Sequence, residues 1–183
     1  QQTRIDAEQT AVNDAVNVMS PEEQRSALGA MGYSAEAISS MSPDEVRQAL
    51  QGYLSKQFRY IRINGLNSAE LHVLPISDKR KYLEDLGVPA NDLRQAKDYN
   101  VTSAFRQVVA KSKVPGNHKI KLKIKGGLFR GKSYEIKLQV NQEGTLEGVD
   151  VKKKGSFFSR LGGVFKMALP ISTVIAMYMP IGL

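Results

Sequence analysis

The sequence has neither cysteine nor tryptophan, and its 183 residues include only two histidines, His72 and His118. The absence of cysteine excludes a disulfide framework, a thiolate nucleophile, a cysteine-ligated zinc and a cysteine-held iron–sulfur cluster. The shortage of histidine removes the commonest general base from most of the chain and argues against a histidine-rich metal site. The composition therefore indicates no metal and no cofactor.

No arrangement of side chains indicates catalysis either. Adjacent acidic residues occur mainly in the first turns of predicted helices, where they compensate the helix dipole. Residues from Gly126 to Ser133 have the Gly-x-x-x-x-Gly-Lys-Ser spacing of a phosphate loop, but an alternating strand follows instead of the required helix. We therefore expect a protein that is not an enzyme.

Positive charge is scarce at the front of the chain and abundant after it. Residues 1–55 contain three basic and eight acidic side chains, which gives 3 − 8 = −5. The other 23 basic and 10 acidic side chains give +13. This asymmetry predicts two functional parts, because a charged surface concentrates partners of opposite charge. The basic part favours nucleic acid, anionic lipid, an acidic protein or the chain's own front as its partner.

Two helix starts follow from a pattern that occurs at residues 19–28 and again at residues 41–50. In each copy a serine, Ser20 or Ser42, precedes a proline and two acidic residues. Serine is a preferred N-cap, proline suits the first helical position, and acids favour the positive end of the helix dipole. The pattern predicts that a helix begins at each place.

A second pair of similar segments comprises residues 28–38 and residues 83–93. In both, a helix is predicted to end at a glycine, Gly32 or Gly87, and one apolar residue precedes a new helix. In the first copy Ser34 can cap the new helix. The pattern indicates a helical hairpin used twice, which is too few copies for a solenoid.

Residues 22–54 also resemble the three-helix modules of the ubiquitin-associated family. The resemblance is carried by the Met-Gly-Tyr loop at residues 31–33 and by the later apolar residues Val46, Ala49 and Leu50. The middle helix is short for that family, and the resemblance assigns no binding residue.

The middle of the chain combines strand-like and helix-like patterns. Residues 58–63 have the aromatic and β-branched character of a strand, and residues 71–74 are its expected partner, with His72 half-buried in it. Helices are predicted over residues 77–86 and from about residue 91 to Lys111.

A three-stranded antiparallel meander is predicted after Pro115. Residues 119–125 alternate lysine with apolar residues, residues 134–140 alternate again, and a third strand ends at residues 149–151. The lysines of this region are the predicted anionic-surface site, which edge protection or solubility could also explain. The site comprises Lys119, Lys121, Lys123, Lys125, Lys137, Lys152, Lys153 and Lys154.

The last 29 residues change from basic to apolar. Residues 167–183 carry no charge, and a helix of that length would reach about 25 Å, less than a hydrocarbon core of about 30 Å. Basic and aromatic residues before them are typical of an interfacial membrane segment, although a helix covering the meander is an equal alternative. The predicted membrane or partner contacts are Phe157, Phe158, Arg160, Leu161, Phe165 and Lys166.

These patterns predict an α+β fold with N-terminal helical hairpins, a mixed middle, a three-stranded antiparallel β-meander and an apolar C-terminal segment. The expected divisions are an acidic helical module at 1–55, a mixed region at 56–115, a basic meander at 116–154 and the C-terminal segment at 155–183. The start at Gln1 is consistent with a cleaved signal, a processing site or a trimmed chain.

We expect a structural or assembly component that contacts proteins or copies of itself through its helical part. Its basic half is expected to associate with an anionic membrane surface, in a membrane-associated or extracytoplasmic location. The alternative is a structural protein that binds nucleic acid non-specifically, for example inside a particle. No small-molecule substrate is evident.

Overall fold

The structure is a computed structural model that describes residues 2–126, 131–154 and 165–166. The described residues divide into two units, one up to residue 62 and one from residue 63 onward. The fold is α+β, as the sequence predicts. The helices are α1 (Gln2–Asn17), α2 (Pro21–Ala30), α3 (Ala35–Ser39), α4 (Pro43–Asn64), α5 (Ser68–His72), α6 (Ile76–Leu86), α7 (Ala90–Gln95) and α8 (Asp98–Lys111). The strands are β1 (Gly116–Lys125), β2 (Lys132–Val140), β3 (Leu146–Lys154) and β4 (Phe165–Lys166).

The predicted helix starts are confirmed in the first unit. Ser20 and Glu23 form a capping box at α2, in which the serine Oγ accepts from the Glu23 N–H. Ser42 accepts in the same way from the N–H of Glu45 at the start of α4, at 3.1 Å. Ser34 caps α3. These caps satisfy backbone donors that have no partner within the helix.

A single apolar cluster holds the first unit together. In α4, apolar residues recur every four positions, which places them on one helix face. The amide of Gln24 on α2 donates to the carbonyl oxygen of Val16 on α1 at 3.0 Å, inside this cluster. The buried members are Ala11, Val12, Ala15, Val16, Leu28, Val46, Leu50, Leu54 and Phe58.

The predicted meander is confirmed in the second unit. Strand order is β1-β2-β3-β4, and every neighbouring pair is antiparallel. Asn141 and Gly144 make the turn between β2 and β3, where Gly144 has a φ of 79°. Helices α7 and α8 contact β1, and the rings of Tyr82 and Phe105 pack edge to face at 5.2 Å. The alternate apolar side chains of the strands are buried.

Two predicted strands are wrong. Residues 58–63 continue α4, because Phe58 falls on the buried helix face that begins with Val46 and continues through Leu50 and Leu54. Packing of that face outweighs the β propensity of the residues. Residues 71–74 are not a strand but the end of α5 and its connection to α6, and His72 is exposed there. The helix predicted from residue 91 to 111 is two helices, interrupted by extended backbone at Ala96.

The helical parts of the two units are equivalent at a constant offset, 83 − 28 = 55 residues. We call residues 13–56 the first module and residues 68–111 the second module. The end of α1 and helices α2, α3 and α4 correspond to α5, α6, α7 and α8. The repeated helix-glycine-helix pattern is thus confirmed as part of a longer repeat. The identical pairs are Val18/Val73, Arg25/Arg80, Leu28/Leu83, Gly32/Gly87, Ala35/Ala90, Val46/Val101, Ala49/Ala104 and Lys56/Lys111.

An arginine makes the same connection in both modules. Arg25 donates to the carbonyl oxygens of Ile38, at 2.7 Å, and Met41, at 3.2 Å. Arg80 donates to the carbonyl oxygens at the equivalent positions 93, at 3.0 Å, and 96, at 2.9 Å. The guanidinium therefore supplies charged donors to carbonyl groups at the end of the short helix. This shared detail supports the equivalence of the modules.

Candidate anionic-surface interface

The outer face of the sheet carries a concentrated positive charge. Register pairs Lys119 with Lys137 and Lys121 with Glu135, and Glu135 pairs onward with Lys152, so these side chains share one face. Six lysines and two carboxylates on the regular part of this face give 6 − 2 = +4. We call it the lysine face. It comprises Asn117, Lys119, Lys121, Lys123, Ser133, Glu135, Lys137, Gln139, Gly148, Asp150, Lys152 and Lys154.

Most of the predicted lysines are exposed on this face. Five of its six lysines are exposed, and Lys137 is half-buried. Lys125 is also exposed, beyond an irregularity in the β1–β2 register. The alternation of strands places the side chains of every second residue on the same side. The structure therefore brings together on one surface most of the residues predicted from the sequence.

Glu135 is the anionic centre of the lysine face. Its carboxylate lies 3.3 Å from Nζ of Lys154 and 3.7 Å from Nζ of Lys137. Burial alone would raise the pKa of Glu135, but the hydrogen bond from Lys154 and the charges of Lys154, Lys137 and Lys119 lower it below the ordinary value. The ionised Glu135 thus offsets part of the positive charge around it.

Lys153 does not join the other predicted lysines. It is paired in register with buried Tyr134, which places it on the helix-covered side of the sheet. There Asp92 of α7 accepts hydrogen bonds from Lys132, at 2.6 Å, and from Tyr134. Burial alone would raise the pKa of Asp92, yet these bonds and the charges of Lys132 and Lys153 lower it. Burial and the bond to Asp92 raise the pKa of Tyr134.

The predicted membrane or partner contacts lie largely outside the described residues. Phe157, Phe158, Arg160 and Leu161 belong to that part of the chain. The backbone of Phe165 and Lys166 forms β4, which pairs with β3 at Val149 and Gly148.

The histidines and carboxylates do not assemble a metal site in the part of the chain that is described. No group of three or more potential ligands occurs among residues 2–126, 131–154 and 165–166. The ring nitrogen Nε2 of His118 lies 2.7 Å from the carbonyl oxygen of Val114. The segment Gly131-Lys132-Ser133 leads directly into β2, so no helix N-terminus follows it.

Sequence reasoning missed two charged positions. The central place of Glu135 depends on the β1–β2 register, which the alternation of either strand alone cannot fix. The Asp92 cluster joins α7 to β2, two elements 40 residues apart, and has no motif. The arginine connection did have a sequence signal, because an arginine lies three residues before the leucine that begins each of the two similar segments, 28–38 and 83–93.

No described helix has both the length and the apolar character needed to cross a bilayer. No protein-family model matches the chain, and neither a curated protein sequence nor a solved structure matches it.

Proposed function

We propose that this protein is a non-enzymatic structural or assembly component whose lysine face associates with an anionic membrane surface. Its helical part makes protein contacts. The observation that carries the proposal is the row of exposed lysines on β1, continued by Lys152 and Lys154 on β3.

The spacing of this row suits a surface of many negative charges. Alternate residues of a strand are about 6.8 Å apart, and neighbouring strands are about 4.8 Å apart. An isolated phosphate would meet few of these lysines, whereas a plane of headgroups meets all of them. A lysine near an anionic membrane contributes roughly 1 kcal/mol, so five exposed lysines would contribute about 5 kcal/mol before ordering costs.

Non-specific binding to nucleic acid is the second candidate function. The straight row of lysines on β1 could follow a phosphate backbone. The lysine face, as defined above, contains no aromatic side chain on which bases could stack, which disfavours single strands and leaves duplexes.

The test compares phosphatidylcholine vesicles, with and without phosphatidylserine, against duplex DNA. We expect wild-type protein to co-sediment with the anionic vesicles. Replacing Lys119, Lys121 and Lys123 together by glutamine should weaken this binding by about 100-fold, from roughly 1 kcal/mol per lysine. The fold should persist, because these three side chains are exposed.

A matched control replaces Lys81, Lys97 and Lys111, which are exposed lysines of the helical part of the same unit, by glutamine. It removes the same charge and should leave vesicle binding within about threefold. Equal losses in both variants would refute the lysine face as the site. Glu135→Gln should strengthen vesicle binding, because it removes the central negative charge. Tighter binding to DNA than to vesicles, falling steeply with salt, would favour the second candidate.

A further inference from the structure

An open groove lies in the second unit, between α8 and residues 66–71. It has a volume of ≈ 420 Å³. Its apolar lining includes Phe105 and Val109, which are buried, and Leu71, which is half-buried. Arg106 and Lys113 stand on its rim and are exposed. The groove thus combines an apolar floor with two cations.

The first module closes the equivalent surface with a helix. At the 55-residue offset, Phe105 and Val109 of the groove correspond to Leu50 and Leu54 of α4. Leu66 and Leu71, on the other wall, correspond to Ala11 and Val16 of the covering helix α1. All four belong to the buried cluster of the first unit, where α1 packs against α4. In the second unit the counterpart of α1 is helical only over the five residues of α5, which form one wall of the groove and leave the rest of the surface open. The repeat therefore indicates that this surface accommodates a helix.

The rims of the two surfaces differ in charge. In the first unit Gln51 donates to Asn13 of α1 at 3.2 Å, and Phe58 is buried. Arg106 occupies the position equivalent to Gln51. At the same offset, two residues beyond the end of the second module, Lys113 stands where the first unit has Phe58. Two uncharged side chains, one half-buried and one buried, thus have two exposed cations in their place. A helix that lies in the second groove needs acidic residues beside its apolar stripe.

We propose that this groove binds an acidic amphipathic helix of a partner protein, with small apolar residues four positions apart. The helix α1 shows the required chemistry: its buried residues are two alanines and two valines at positions 11, 12, 15 and 16, and Asp6 and Asp14 are exposed on the same helix. The α1 of a second copy is not the occupant, since Glu8 and the apolar face of α1 are engaged within their own unit. The groove adds a defined partner to the protein contacts proposed above and requires nothing of the lysine face.

The probe is a fluorescent peptide that reproduces residues 5–18, with both ends blocked so that its net charge is −3. Fluorescence anisotropy measures its binding to the full chain. We expect saturable binding that weakens at least about tenfold in the double variant Arg106→Glu and Lys113→Glu, because two attractions become repulsions. The control Lys111→Glu changes an exposed charge of α8 outside the groove and should alter binding by less than about twofold.

A charge exchange sharpens the test. A second peptide, in which Asp6, Glu8 and Asp14 are lysines, should bind the double variant better than it binds wild type. The variant with glutamine in place of Lys119, Lys121 and Lys123 should bind the original peptide as wild type does. This result would distinguish binding at the groove from binding at the lysine face. No binding of the original peptide to wild type, or equal binding to the double variant and to Lys111→Glu, overturns the proposal.

Discussion

The two modules share one helical plan, but different elements cover it. In the first, α1 packs on α4 and completes the apolar cluster. In the second, the shortened α5 leaves a groove, and the sheet contacts α7 and α8. The glycines show the same difference: a Cβ atom at Gly87 would lie 3.3 Å from Cγ2 of Val151, whereas one at Gly32 meets no atom within 4 Å. The repeated pattern thus specifies three helices, whereas the elements that pack on these helices come from other parts of the chain and differ between the modules.

The largest test of this comparison truncates the leucine that both modules bury. Leu28 and Leu83 are each 0% exposed, so Leu28→Ala and Leu83→Ala should each cost about 2–5 kcal/mol of unfolding free energy. Urea denaturation measures both losses. The control variants Val18→Ala and Val73→Ala, at exposed equivalent positions, should each change stability by less than about 0.5 kcal/mol. A large loss at only one leucine would break the equivalence.

The next test concerns the Asp92 cluster, which the first module lacks because Ala37 stands at that position. Asp92→Asn should cost about 1–3 kcal/mol at neutral pH, since it weakens the bonds to Lys132 and Tyr134. The folded pKa is lowered, so the carboxylate's contribution is full above the ordinary pKa of about 4 and is lost as pH falls below it.

Urea denaturation as a function of pH checks this prediction. The stability of wild type should fall more steeply below pH 4 than that of Asp92→Asn, where pH 4 is about the unfolded pKa. Parallel curves for the two proteins would show that the cluster does not stabilise the fold. Ala37→Ser serves as the control at the equivalent, exposed position and should keep the wild-type pH dependence.

The arginine connection gives a smaller, shared effect. Arg25→Gln and Arg80→Gln should each cost about 1–2 kcal/mol, because carbonyl oxygens of two residues lose a charged donor. The loss at Arg80 should be the greater, since this side chain also pairs with Asp98 at 2.8 Å. Thermal melting of both variants decides the point, with Arg47→Gln, an exposed arginine, as control. If neither variant lost stability, the arginine connection would have no structural role.

The smallest test exchanges a cap between the modules. Ser42 caps α4, whereas its equivalent, Lys97, precedes α8 without a side-chain cap bond. Lys97→Ser should therefore stabilise the second module by about 0.5–1 kcal/mol, and Ser42→Ala should destabilise the first by about 1 kcal/mol. Lys97→Ala is the control for loss of the lysine itself. Equal melting temperatures for Lys97→Ser and Lys97→Ala would show that no cap forms.

Much of this fold follows from local sequence. Ser20 and Ser42 predict helix starts because N-capping and the interaction of acidic residues with the helix dipole both act within one helical turn. The alternation of lysine with Ile120, Leu122 and Ile124 predicts a strand, because successive side chains of a strand point to opposite faces of the sheet. The lysine face follows from the same rule, and so most of its residues could be named in advance.

The rest depends on contacts that local patterns do not record. Residues 58–63 have β propensity, yet Phe58 completes a buried helical face that begins twelve residues earlier with Val46. The opposite placement of Lys153 needs the register of β3 against Tyr134, and the groove needs α5 to be short. Such features arise from packing between elements, which no local sequence pattern records.

The strand order β1-β2-β3-β4 has a kinetic consequence. Among the described residues every strand pairs with its neighbour in the sequence, so none of these pairings has to wait for a distant part of the chain. Loop closure between adjacent strands costs little entropy, and topologies of this kind fold rapidly. During synthesis the sheet can grow by one strand at a time as each follows the last from the ribosome. Each new strand can pair with the preceding one as soon as it emerges, which shortens the time for which both of its edges are unpaired.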